Sequence, residues 1–186
     1  MKIKDINWKD ISYLKEGNNT QRKSYEILKR INIFEVLKDY NPILIGTIPI
    51  QINIESSDLD IVCEVENFVT FKEVLVNEFE IRKGFKVIEN SIENIIVCNF
   101  YVDDIEIEIY ASKNHSEKTN GYRHMVIEAR LIEILGKDFK NKIIALKKRG
   151  LKTEPAFAKQ LGLKGNPYES LLELEEYYDD DLKNLK

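Results

Sequence analysis

The chain has 186 residues and a mass of 21.8 kDa, with 43% apolar and 32% charged residues, 4 Pro and 8 Gly. This composition excludes a disordered or fibrous chain and predicts a compact domain that buries roughly 70% of its extended surface without disulfides or a structural metal. A formal net charge of -4 argues against a protein that coats long nucleic acid. The absence of any apolar run of about 18 residues excludes a membrane helix, so no membrane partner is expected.

The opening MKIKDINWKD has no continuous apolar stretch of the kind a leader needs, and a cytoplasmic protein is expected. The average charge hides an asymmetry. Between Lys137 and Lys164 there are nine Lys or Arg against two acids, and from Glu173 to Lys186 six acids against two lysines.

Residues 20–40 carry Tyr25, Ile27, Leu28, Ile31, Phe34 and Leu37 at helical intervals, which predicts one helix capped by Thr20 and ended by Asn41-Pro42. PILIG then reads as a short buried strand closed by Gly46. After a polar loop, DLDIVCEV alternates, with Asp58, Asp60 and Val62 on one face and Leu59, Ile61 and Cys63 on the other.

Residues 68–79 form a second helix with a Phe68, Phe71, Leu75, Phe79 stripe and Gly84 as its expected cap. FKVIEN and ENIIVCNFYV form a hairpin around Asn90 and Ser91, and a turn at Asp103-Asp104 leads into IEIEIYA. There Glu106 and Glu108 project from one face of a strand. Cys63 and Cys98 lie in apolar runs without the spacing of a zinc or redox motif, and read as reduced core thiols. From Gly121 onward the pattern is helical, with glycines 136, 150 and 162 as carboxy-terminal caps and Pro155 and Pro167 in first turns. The acidic end is expected to fray.

Two aspartates two residues apart on a strand point the same way, about 6.5 to 7 Å apart. With Glu106 or Glu108 from a neighbouring strand they would form an oxygen-rich set suited to Mg2+, with one or two ions, and to phosphoryl transfer. The bland alternative is a solvated edge-strand face, where Asp-x-Asp and Glu-x-Glu are common. Against it stand the flanking apolar residues, the preceding Gly-Thr turn and the need of clustered like charges for a counter-ion.

The arrangement ILIG-T, loop, S-DLDI, followed by IEIEIYA, resembles the nucleotidyltransferase superfamily of the polymerase-beta type. Residues from about 20 to 176, marked by GTIPI, SDLDI, EIEIYAS, YRHMVIEAR and GLKTEPAFAKQLGL, are similar to a bacterial family of uncharacterised nucleotidyltransferase-like proteins. The resemblance implies an α+β fold, a nucleotidyltransferase-like mixed sheet flanked by helices (residues 1–118) followed by a helical carboxy-terminal unit (119–186). It implies that Gly46 admits the triphosphate closely, that Thr47 and Ser57 bind it, and that Asp58 and Asp60 hold metal. The third acid is then Glu108, with Glu106 as the alternative. Thr47 replaces the family's usual serine and keeps the hydroxyl.

The reaction so implied moves a nucleoside monophosphate from ATP, or another nucleoside triphosphate, to the hydroxyl of a small-molecule, protein or RNA acceptor. The alternatives are a catalytically inactive nucleotide-binding or partner-binding protein of the same fold, and an RNA-binding module built on Lys147, Lys148 and Arg149. Arg123 and Arg130 share a helical face that could meet phosphate, or could pair with acids. Lys152, in a basic turn ahead of Pro155, is a binding candidate against a plain helix-end charge. His124 reads either as a base or as a packing residue.

Overall fold

The computed structural model describes residues 6–185; residues 1–5, where the stretch read for a leader begins, and residue 186 lie outside the described residues. Five strands form one mixed sheet in the order β1-β2-β5-β4-β3: β1 Ile43–Ile45, β2 Leu59–Glu64, β3 Lys83–Asn90, β4 Ile95–Val102 and β5 Ile105–Ser112. Only the central β2–β5 pair is parallel; the other three pairs are antiparallel. This is a mixed α/β architecture with helices on the sheet, as the sequence pattern predicts.

Period-2 alternation sends one set of side chains to each face. Leu59, Ile61, Cys63, Ile107, Ile109, Cys98 and Phe100 pack with α1 (Asn19–Arg30) and α3 (Phe68–Phe79) in one core. Ile43, Ile45 and Val62 face the other way and pack with α4 (Asn120–Lys148), α5 (Thr153–Leu161) and α6 (Pro167–Leu172) in a second. Both cysteines are buried free thiols in the first core. Burial pushes the Cys98 thiol up to about 12, so it behaves as a small hydrophobe rather than a nucleophile. Among the described residues no helix is long and apolar enough to cross a membrane.

Several local expectations are corrected. The predicted 20–40 helix is broken: α1 ends at Arg30, Asn32 is left-handed at φ 54°, and a four-residue α2 (Ile33–Val36) and a 3-10 turn follow. Its cap is Asn18, not Thr20; Asn18 accepts from the Gln21 N–H and the Gln21 side chain accepts from the Asn18 N–H, a reciprocal box. Gly84 lies inside β3, and α3 ends at Phe79 with Glu80 as its cap. The acidic end does not simply fray: α7 (Asp179–Lys183) buries Leu182 and holds Asp179 against Arg130 at 2.8 Å.

Candidate active site

The parallel pairing of β2 with β5 sets Asp60 directly beside Glu108, on strands about 4.8 Å apart. Asp58 immediately precedes β2. The turn after β1 closes over Asp60: Gly46 has φ +84°, and a Cβ there would stand 2.5 Å from Asp60 Oδ2. Only glycine suits both the conformation and that approach. Thr47 Oγ1 and Ser57 Oγ lie 3.1 Å apart, and Ser57 Oγ also accepts from the Ile54 N–H at 2.9 Å. One hydroxyl hydrogen is therefore shared within the pair and the other is free for an incoming oxygen.

The opposite wall is helical. Asp58, Asp60, Glu108, Gly46, Thr47 and Ser57 line a cavity of about 690 Å3 together with His124 and Glu128 of α4, Lys147 at the end of α4, and Lys152, Thr153 and Glu154 at the start of α5. In a straight helix, Glu128 and Lys147 would sit about 28 Å apart along the axis. A break in α4 at Gly136 (φ 78°, ψ -170°) brings both to one cavity. The sequence marks Gly136 as a helix end, and here it separates two helical rods.

The electrostatics of the cavity are unusual for a folded interior. Burial, reinforced by Asp58, Glu108 and Glu106, raises the Asp60 carboxyl to about 7, with Lys147 opposing. Glu128, 3% exposed, is pushed well above the usual carboxyl range by burial and by Glu154. Lys147, 5% exposed, is lowered by burial although Glu128, Glu154, Asp58 and Asp60 all favour its charge. It makes no ion pair among the described residues. His124 Nε2 stands 2.9 Å from the Tyr168 carbonyl oxygen and so donates to it, which turns Nδ1 toward Glu154 at 3.7 Å.

Of the residues singled out in the sequence, Gly46, Thr47, Ser57, Asp58, Asp60, Glu108 and Lys152 line this cavity. Glu106 lies one position farther out on the same face, bound to Tyr101 Oη at 3.0 Å; Asn99 Nδ2 donates to both Glu106 (3.1 Å) and Glu108 (3.2 Å). Arg123 is not brought to the cavity: its guanidinium grips Glu175, with Nη2 to Oε2 at 2.6 Å, and Arg130 is held by Asp179 and the Tyr177 carbonyl. Both arginines meet groups of the tail, Glu175 for Arg123 and Asp179 for Arg130. In the sequence Glu128 stood out only as an acid that could pair with an arginine, Glu154 as part of the basic turn with Lys152, and Lys147 as part of a basic helix end or an RNA-binding surface. Their one available signal was polarity within an otherwise apolar helix face.

The acids suit a hard divalent ion by their chemistry, being carboxylate oxygens on one cavity wall. Among the described residues no three His, Cys, Asp or Glu side chains converge as a ready-made metal cage.

A family described as Domain of unknown function (DUF4269) matches residues 26–174. The chain belongs to the DUF4269 family. No curated protein matches it. Among solved structures, Cid1, described by its RNA terminal uridylyl transferase activity, is similar with a TM-score of 0.56 and 12% identity over 81% of this chain and 52% of that one. GLD-2 in complex with RNP-8 gives 0.53 and 17% identity over 88% of this chain and 66% of that one. The polymerase core of TRAMP, an RNA surveillance complex, gives 0.50 and 12% identity over 95% and 56%. The DUF4269 chain thus has a nucleotidyltransferase-like fold and spans between about half and two thirds of the length of these structures.

Proposed function

We propose that the chain is a Mg2+-dependent nucleotidyltransferase that moves a nucleoside monophosphate from a nucleoside triphosphate, ATP by default, to an acceptor hydroxyl. The observation that carries this reading is the Asp60–Glu108 pair, with Asp58, on the wall of a cavity whose other side offers Lys147 and Lys152. Nucleotide-bound Cid1, solved with MgGTP, supports the same class of ligand.

In this reading residues 1–118 supply the acids and the phosphate turn, and 119–186 the opposite wall. The bare backbone at Gly46 and the Thr47–Ser57 hydroxyl pair receive phosphate oxygens. Lys147 and Lys152 offset triphosphate charge, Lys147 strongly so because water is largely excluded around it. Asp58 and Asp60 would hold the metal, which when bound neutralises phosphate charge and polarises the reacting phosphorus. Glu108 is the third acid rather than Glu106, because it is Glu108 that pairs with Asp60 across the strands. The Asn99 amide donates to Glu108 at 3.2 Å and so orients the side chain that would take the acceptor's proton.

The test is incubation with α-labelled nucleotides and Mg2+, reading nucleotide binding and pyrophosphate release separately. Asp60→Asn should abolish release, and Glu108→Gln should slow it about 10²- to 10⁴-fold with binding retained. A wild-type chain that folds and binds neither Mg2+ nor nucleotide overturns the reading. A second reading keeps the same cavity in another role: a nucleotide-binding chain without turnover. It predicts binding with no pyrophosphate release under any acceptor.

A further inference from the structure

A second cavity, of about 420 Å3, lies against the same two acids. Asp60, Glu108, Ile45 and Gly121 border both cavities; Asp58, Thr47, Lys147 and Lys152 border only the larger one. The smaller cavity continues along the sheet face past Val62 and Tyr110, then ends at the segment joining β5 to α4, where Asn114, Lys118 and Asn120 line it. Its lining carries both signs of charge: Asp60 and Glu108 on the two paired strands, and Lys118, exposed, the one cation in the lining and without an ion pair among the described residues, on the segment ahead of α4.

Transfer to a hydroxyl demands that the attacking oxygen approach the α-phosphorus opposite the departing pyrophosphate. With the triphosphate held on the Gly46–Thr47 and Lys147 side, the open approach past Glu108 comes from the smaller cavity. The acceptor O–H would lose its proton to the Glu108 carboxylate, form the new P–O bond, and send the electrons of the broken Pα–O bond to pyrophosphate.

Resting on the transfer function proposed above, we infer that the smaller cavity is the acceptor site and that the acceptor is a small hydroxylated anion. The two signs of charge orient such a molecule, with its neutral hydroxyl at the acids and its negative group at Lys118. The Tyr110 ring and Val62 provide an apolar wall, and Asn114 and Asn120 provide amide partners, in a volume typical of small-ligand sites. A nucleic-acid end fits less well, because a polynucleotide track needs successive cations and this lining has one.

The experiment uses the full chain with Mg2+ and the non-transferable donor α,β-methylene-ATP. Donor binding is read first, by thermal shift, in wild type, Lys118→Ala and Asn114→Trp. Glycerol 3-phosphate, ribose 5-phosphate and a single-stranded RNA 20-mer are then titrated while backbone amide resonances are followed. Labelled ATP finally reports transfer to each.

The expected result is equal donor binding in all three proteins, with resonances of Asn114 and Asn120 shifted by at least one of the two phosphates. Transfer to that phosphate should show KM raised about tenfold or more by Lys118→Ala at nearly constant kcat, and should be lost in Asn114→Trp. Donor binding with neither phosphate perturbing these amides, or transfer to RNA that Asn114→Trp leaves intact, overturns the acceptor assignment alone. Failure of the donor to bind wild type overturns the transfer reading and this one with it.

Discussion

Asp60 and Lys147 are each held where their own charge is disfavoured, and stability should register it. The Asp60 carboxyl, raised from 3.8 to about 7, keeps its proton in the folded chain at pH values where the unfolded chain has lost it. The folded state therefore binds more protons between about pH 4 and pH 7, so stability falls as pH rises through that window and levels off above it. Asp60→Asn should remove this slope and gain on the order of 1–2 kcal/mol at pH 8, read by denaturant titration at pH 5 and pH 8. Lys147→Met should likewise raise the melting temperature by a few degrees while weakening nucleotide binding at least tenfold, the usual exchange between a strained site and its function.

Much of the acid set was legible, because strand alternation alone puts Asp58 and Asp60 together and Glu106 with Glu108. The resemblance already ranked Glu108 ahead of Glu106; the register that sets Glu108 beside Asp60 comes from the pairing of distant strands, which no local pattern encodes. Arg123 shows the converse limit. Its helical face could be read, but whether that face meets phosphate or Glu175 is decided by a tail segment whose fold is set by long-range packing.

The elements that position these residues depend on breaks as much as on regular structure. Gly136 has a backbone conformation that is essentially glycine-only, although an added Cβ would meet nothing within 4 Å. Gly136→Ala should therefore act through the backbone alone, costing about 1–3 kcal/mol and impairing Lys147 placement, so that nucleotide affinity falls more than a purely structural loss would explain. The glycine spacing that flags helix ends was visible in the sequence. That the second rod folds back onto the same cavity was not, since the turn angle comes from packing of Phe139, Ile143 and Phe157.

The α1 break at Asn32 was missed for a related reason. Apolar periodicity continues through it, and only the left-handed backbone interrupts the helix. The β4–β5 turn carries Asp103 and Asp104, both at positive φ (50° and 63°). Asp104→Gly should stabilise it by several tenths of a kcal/mol, measured as a shift in the denaturant midpoint, because glycine adopts this conformation without strain.

For the whole molecule, the sheet's layout decides what ligands do to stability. The walls of the larger cavity come from segments far apart in the chain, so a ligand that bridges them binds only the folded form. Mg2+ with nucleotide should raise the melting temperature in proportion to the logarithm of its concentration, and Asp58→Asn with Asp60→Asn should abolish the effect. That helices pack on a mixed sheet was readable from the order of patterns. The strand order was not, because neighbouring hairpins look alike whether or not a distant strand comes between them and β1.

The single parallel pair has a kinetic meaning. β1 with β2, and β3 with β4 and β5, can form from local hairpin-like contacts, whereas β2 can join β5 only by closing the long excursion through α3 and the outer strands. That closure is the slowest kind of contact for a folding chain to make. It is also the step that forces Asp60 against Glu108. Refolding should consequently be limited by bringing two like charges together, so the folding limb of the chevron should speed up in Asp60→Asn and, in wild type, as pH falls below 7.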